Sequence, residues 1–228
     1  MGAVITSGHN PKLRLIHRLL ESRRQRDKEG LFVVEGEDLV QAADDAGVEP
    51  VELLRAGEDV EPELLAKVST MAHPPRVMGI YRRDALPRGV EPVSLSLWHV
   101  ADPGNIGTIL RTADAFGASV ALSPGCADPT GPKALRASAG AVFRVPLARF
   151  DEPNGTRIAL VSHGGRPLTE LEPGVPVSYV LGAERDGLPD DIVAACDGTA
   201  TIPLVPGAES LNVAIAGAVA LYEHRRGR

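Results

Sequence analysis

Apolar residues at Leu13, Ile16, Leu19 and Leu20 recur at three- and four-residue spacing among arginines and lysines, which predicts an amphipathic helix with a basic outer face. The run LFVV at 31–34 then reads as a short buried strand, 38–46 as a helix closed by Gly47, and VELL at 51–54 as a second strand. A helical stretch at 61–70 and a strand-like RVMGIY at 76–81 complete a small α/β unit of about 80 residues, an ordinary domain size. The next stretch, RRDALPRGVEP at 82–92, mixes charge with Pro87, Gly89 and Pro92, which disfavour either element and mark a linker.

Beyond it, strand candidates at 94–100, 119–122, 142–147, 157–162, 177–182 and 199–204 alternate with helices near 106–116, 132–138, 188–195 and 210–224. That rhythm predicts a mostly parallel sheet covered by helices, with ligands bound where loops leave the carboxyl ends of the strands. The division is 1–82, a linker at 83–93, and 94–228, with no internal repeat. It fits a 228-residue chain, long for one domain and short for two.

Composition is that of a folded protein, 43% hydrophobic and 24% charged, but the net charge of −6 argues against a nucleic-acid partner. Counting by segment changes this. Residues 1–28 hold seven Lys/Arg against two acids, the last five residues add Arg225, Arg226 and Arg228, and 29–223 carry fourteen basic against 28 acidic residues. A basic first segment is either a solvated helix face or a polyanion contact through Lys12, Arg14, Arg18, Arg23, Arg24 and Arg26. Two cysteines, Cys126 and Cys196, are too few for a disulfide framework and read as packing residues in a reducing cytoplasm. The first twenty residues lack a signal-peptide core, and the apolar stretch 211–222, interrupted by Asn212, is too short to span a bilayer, so no membrane role is expected. The six histidines lack metal-ligand spacing, and no metal is expected.

Three loops carry candidate chemistry. In DPGNIGTILRTADAFGA at 102–118, a Pro-Gly turn opens a helix, Asn105 is a plausible N-cap, and Arg111 offers a planar guanidinium suited to phosphate. The plain alternative is a capped helix with a surface arginine. In YVLGAERDGLP at 179–189, Gly182 and Gly187 flank Glu184 and allow backbone to approach a ligand, or simply form a strand-to-helix turn. In IPLVPGAESLNVAIAGAVALYEH at 202–224, a Pro-Gly loop leads to Ser210, an ordinary cap candidate, then Asn212 and a helix of small residues suited to close packing or a subunit interface.

Together these segments resemble the SpoU/TrmH family of RNA ribose 2'-O-methyltransferases, in the SPOUT superfamily. The resemblance rests on Asn105, Gly107, Arg111 and Thr112, then Gly182 and Glu184, then Ile202, Pro203, Ser210, Leu211 and Asn212, and covers roughly 94–226, while EGLFVVEGEDLV at 29–40 is similar to the family's RNA-substrate-binding domain. It implies a C-terminal trefoil knot, a homodimer, and S-adenosyl-L-methionine held by Gly182, Ile202 and Leu211. It also implies a catalytic set of Arg111, Asn105, Glu184, Ser210 and Asn212 acting on RNA; the N-terminal module favours rRNA, with a tRNA substrate the alternative. Arg185 departs from the glycine often found after the family's glutamate.

A guanidinium stays protonated in proteins, so Arg111 is expected to stabilise developing negative charge or hold a phosphate rather than act as base. Three other classes compete with this reading. A serine hydrolase built on Ser210 and His163 lacks a Gly-x-Ser-x-Gly elbow, and a dehydrogenase lacks a Gly-x-Gly-x-x-Gly turn. A non-catalytic RNA-binding or ribosome-assembly protein on the same fold is opposed by the intact motif residues.

Overall fold

Pro11 at the first helical position and Asn10, whose side chain accepts from the Lys12 amide at 2.9 Å, start α1 (Pro11–Glu21) in the computed structural model, which describes residues 4–226. Arg228 of the basic tail lies outside the described residues. Leu13, Ile16, Leu19 and Leu20 are buried as expected. The basic segment is nevertheless two helices. Ser22 adopts an extended conformation, ends α1 and caps α2 (Arg23–Glu29), which Gly30 closes in the left-handed region.

The next elements are β1 (Leu31–Glu35), α3 (Glu37–Asp45), β2 (Glu52–Arg55), α4 (Pro62–Val68) and β3 (Val77–Arg82). The three strands form an antiparallel sheet in the order β1-β3-β2. Side-chain alternation splits its two faces. Val33, Leu54, Met78 and Ile80 pack with α1, whereas Phe32, Val34 and Tyr81 join the core of the second half. There Phe32, Tyr81 and Phe143 form a triangle with centroid separations of 5.9–6.2 Å. One hydrophobic cluster thus spans both halves, while the one beneath α1 belongs to the first half alone. The stretch read as a linker is docked as well: Leu86 is buried, and the Leu147 amide donates to the Pro87 carbonyl at 3.0 Å.

The second half contains β4 (Val93–Leu97), α5 (Pro103–Phe116), β5 (Ser119–Leu122), α6 (Pro132–Ser138), β6 (Leu147–Arg149), β7 (Thr156–Leu160), β8 (Arg166–Pro167), β9 (Val177–Leu181), α7 (Asp190–Ala194), β10 (Gly198–Thr201) and α8 (Val213–Arg226). Its seven strands pair in parallel in the order β6-β5-β4-β9-β7-β10-β8, in keeping with the expected α/β class. The order is out of sequence. Strand β9 lies between β4 and β7, and β10 between β7 and β8.

Two boundaries differ for clear reasons. The apolar run expected as a strand at 142–147 is a 3-10 turn over Ala141–Phe143, because Ala139 and Gly140 both have positive φ and turn the chain; Val142 and Phe143 plug the core instead. Strand β4 stops at Leu97, since His99 takes a φ of 52°.

Candidate active site

Helix α5 begins one turn earlier than its apolar spacing suggests, and its cap is Asp102 rather than Asn105. Asp102 Oδ1 accepts from the amides of Gly104 (2.6 Å) and Asn105 (3.0 Å), while its Oδ2 takes Lys133 Nζ at 2.8 Å. The Lys133 hydrogen bond, followed by that from the Asn105 amide, holds this carboxyl below the usual carboxylate range. An Asp-Pro pair at a helix start is the signal that could have found it.

Relieved of capping, the Asn105 side chain joins the three loops. Its Nδ2 donates to Glu184 Oε1 at 2.9 Å, and its Oδ1 accepts from Asn212 Nδ2 at 3.0 Å. Glu184 also accepts from the Ala101 amide (3.2 Å) and the Asp102 amide (3.1 Å). Burial pushes its carboxyl upward, but the donors Asn105, Asp102 and Ala101 outweigh burial and leave it below the ordinary range. Asn212 Oδ1 in turn accepts from the Ala214 amide at 2.9 Å, so Asn212, not Ser210, caps α8. Small residues seat that helix: a Cβ on Gly217 would come within 3.3 Å of Leu95.

Beside this chain of hydrogen bonds lies a cavity of about 320 Å³ at the carboxyl ends of β7, β9 and β10. Gly182, Ile202 and Leu211 all line it, as do Glu184 and Ser210. A Cβ on Gly182 would overlap the Gly187 carbonyl carbon, so only glycine lets the 183–187 loop fold back this closely. Two hydrogen bonds of 3.0 Å between Ala183 and Gly187 pin that loop at its base.

Arg111 does not join this group. It is exposed on α5 with no hydrogen bond or ion pair to the described residues and does not line the cavity. Six residues separate it from Asn105, placing it about 120° around the helix. Ser210 is likewise exposed and unpartnered, and neither it nor His163 forms the hydrogen bond a hydrolase dyad would need.

The basic segment divides. Arg14, Arg18 and Arg24 are exposed; Arg14 Nη2 lies 3.1 Å from His9 Nδ1, and Lys12 pairs with Glu52 at 2.8 Å. Arg26, expected at an RNA surface, is instead buried: its Nε bonds Asp128 Oδ2 at 2.7 Å and its Nη1 the Leu19 carbonyl at 2.6 Å. Arg23 is diverted too, donating to the Cys126 carbonyl at 2.7 Å. The break at Ser22 turns both toward the second half. Arg83 also reaches Asp128 at 3.1 Å, and Arg136 of α6 donates to Thr70 Oγ1 at 2.9 Å and lies 3.4 Å from Glu35.

Among the described residues no group of three or more His, Cys, Asp or Glu gathers to hold a metal ion, and no helix is long and apolar enough to cross a membrane.

The SpoU rRNA Methylase family model matches residues 92–222, and the MRM3-like substrate binding domain model matches residues 10–79. An uncharacterized tRNA/rRNA methyltransferase of Synechocystis is 33% identical over 98% of this chain and 94% of its own length. The Bacillus subtilis 23S rRNA guanosine 2'-O-methyltransferase RlmP is 29% identical over 98% of this chain and 99% of its own. Among solved structures, an AdoMet-bound rRNA methyltransferase from Sinorhizobium meliloti superposes with a TM-score of 0.87 at 29% identity, covering 99% of this chain and 98% of that one.

Proposed function

The chain belongs to the SpoU rRNA methylase family, and on that premise we propose that it transfers a methyl group from S-adenosylmethionine to a ribose 2'-hydroxyl of ribosomal RNA. The observation that carries this reading is the Glu184–Asn105–Asn212 chain of hydrogen bonds standing beside a cavity lined by Gly182, Ile202 and Leu211. The cavity fits the cofactor: it has nucleoside-scale volume, a lining of both apolar and polar groups, and a glycine that brings backbone to its edge. When bound, S-adenosylmethionine supplies an electrophilic methyl on a sulfonium.

The protein's own residues align and stabilise. Asn105, Asn212 and Glu184 are occupied by one another, so they act as positioning residues that hold three loops in one arrangement. Ser210 and Arg111 keep their polar groups free for substrate. The Arg111 guanidinium supplies charge, either to the 2'-oxygen as it becomes nucleophilic or to the adjacent phosphate; the hydroxyl proton leaves through water or a polar neighbour.

RNA reaches the site along the exposed Arg14, Arg18 and Arg24, within the segment matching a substrate-binding domain. Division at 1–82, 83–93 and 94–228 accords with the spans of the two family models. A homodimer is supported by Ile215 and Tyr222, 50% and 57% exposed and one stripe apart on α8 with the half-buried Val219. A trefoil knot accords with the late insertion of β9 and β10 between strands made earlier. An RNA substrate and two free thiols accord with the cytoplasm.

Incubating the protein with methyl-labelled cofactor and separate rRNA and tRNA pools, followed by alkaline digestion, tests this. Label in alkali-resistant dinucleotides from rRNA is expected. Label on bases alone would refute the ribose assignment, and label confined to tRNA would overturn the substrate choice. Near-normal turnover of Arg111→Ala would remove Arg111 from the mechanism.

A further inference from the structure

The turn at the mouth of the cavity holds two opposite charges with no work assigned to them. Arg185 and Asp186 are adjacent, exposed, and line the cavity. Neither forms a hydrogen bond or ion pair with the described residues, the other included. Other charges in the loops of this domain are paired, Lys133 with Asp102, Arg149 with Asp151 and Arg166 with Glu170. The turn is built to hold its tip still. Ala183 and Gly187 exchange two backbone hydrogen bonds, Gly187 takes the left-handed conformation, and Glu184 is tied to the segment leading into α5 by three donors, the amides of Ala101 and Asp102 and the side chain of Asn105. Side chains at 185 and 186 are therefore carried on a short, anchored loop.

Apolar side chains also line the cavity, from Leu160, Leu181, Ile202, Leu204, Leu211 and Val213. A ligand with one apolar, planar end and one zwitterionic end can enter in only one sense: flat end against those side chains, charged end toward 185–186. Resting on the cofactor reading above, we propose that Arg185 and Asp186 recognise the amino-acid head group of S-adenosylmethionine. The Arg185 guanidinium takes the α-carboxylate, whose planar geometry suits its fork, and Asp186 takes the α-ammonium. Glycine after the glutamate could not do this, so the departure at Arg185 moves part of cofactor recognition from backbone to side chain.

The test compares two nucleosides that differ in that head group. S-adenosylhomocysteine carries it; 5'-methylthioadenosine does not. Binding of each to the full-length protein is measured by titration calorimetry for wild type, Arg185→Ala, Arg185→Lys and Asp186→Asn. Loss of a charge-assisted hydrogen bond should weaken S-adenosylhomocysteine about ten- to a hundredfold in Arg185→Ala and Asp186→Asn, while Arg185→Lys retains part of the affinity. Methylthioadenosine should bind all four proteins alike. Parallel weakening of both nucleosides would overturn the assignment by showing a purely structural loop. Unchanged S-adenosylhomocysteine affinity, with or without weaker RNA binding, would overturn it in favour of solvent or phosphate. Wild type that binds neither nucleoside would instead refute the cofactor reading itself, and this assignment with it.

Discussion

Replacing Arg26 by Ala separates a structural arginine from an RNA-binding one. Arg26 and Asp128 are 5% and 6% exposed, and their side chains meet at 2.7 Å. Removing one member of a buried pair costs about 3–5 kcal/mol, because the other charge stays buried. Arg83 still lies 3.1 Å from Asp128, which places the expected loss at the lower end, about 3 kcal/mol. For a chain of this length that corresponds to a fall of about 6–12 °C in thermal midpoint. Arg24→Ala, at an exposed position, should stay within about 0.5 kcal/mol of wild type. The assays are thermal unfolding by circular dichroism and RNA binding across a salt series. Arg24→Ala should flatten the salt dependence by about one unit of slope, and Arg26→Ala, where still folded, should not. The pH response has a definite sign. Burial raises the Asp128 carboxyl, but the Arg83 charge and the Arg26 and Thr130 hydrogen bonds outweigh it, leaving the carboxyl depressed. Its stabilisation is thus present above the ordinary carboxylate pKa and is lost as pH falls through the folded value, so the gap between wild type and Arg26→Ala narrows in acid. An Arg26→Ala protein of wild-type stability with weakened RNA binding would refute the reasoning.

Glu184→Gln should cost about 1–2 kcal/mol near neutral pH, a modest figure because the side chain is exposed, and slow methyl transfer by loosening three loops. Since the Glu184 carboxyl is depressed, that deficit should shrink as pH drops below the ordinary carboxylate range; a pH-independent deficit would contradict an ionised hub. Gly107→Ala places a Cβ 2.5 Å from both the Ala134 carbonyl oxygen and the Ala137 Cβ, forcing α5 and α6 apart at about 1–3 kcal/mol, read as a lower urea midpoint; a neutral result would mean α6 slides freely. Ile215→Glu should convert a dimer to monomers in sedimentation velocity, whereas a monomeric wild type would remove the proposed interface.

Local pattern revealed what depends on neighbours in sequence. Leu13, Ile16, Leu19 and Leu20 are buried as their spacing predicts, and all five residues of β9 are buried, as its apolar run suggests. Asn105, Glu184 and Asn212 were legible as three loop motifs, and their joining is a tertiary fact. Arg26 was misleading for a physical reason. The break at Ser22 puts it on a separate helix turned toward the second half, and its partner Asp128 lies 102 positions away, so no local count of charge shows it neutralised. The true cap Asp102 was hidden by a more familiar Asn-x-Gly three residues later. Strand order was beyond periodicity altogether, since any parallel order buries these apolar runs equally well.

The place of β9 sets a schedule for the nascent chain. Its register joins Leu95 to Tyr179 on one side and Ile158 to Tyr179 on the other. Until residues 177–181 have been synthesised, β4 is the unpaired edge of a β6-β5-β4 sheet and β7, whose partners β9 and β10 both come later, has no strand to pair with, so both are open to any extended segment that meets them. Joining β4 to β9 requires contacts across more than eighty residues, which slows that step by loop entropy. The sheet is joined in its middle first, and β10 then ties β8 on at the rim. A chain stopped before β9 is then not a smaller version of this domain but a three-stranded sheet followed by two strands, β7 and β8, that lack every partner the finished fold gives them.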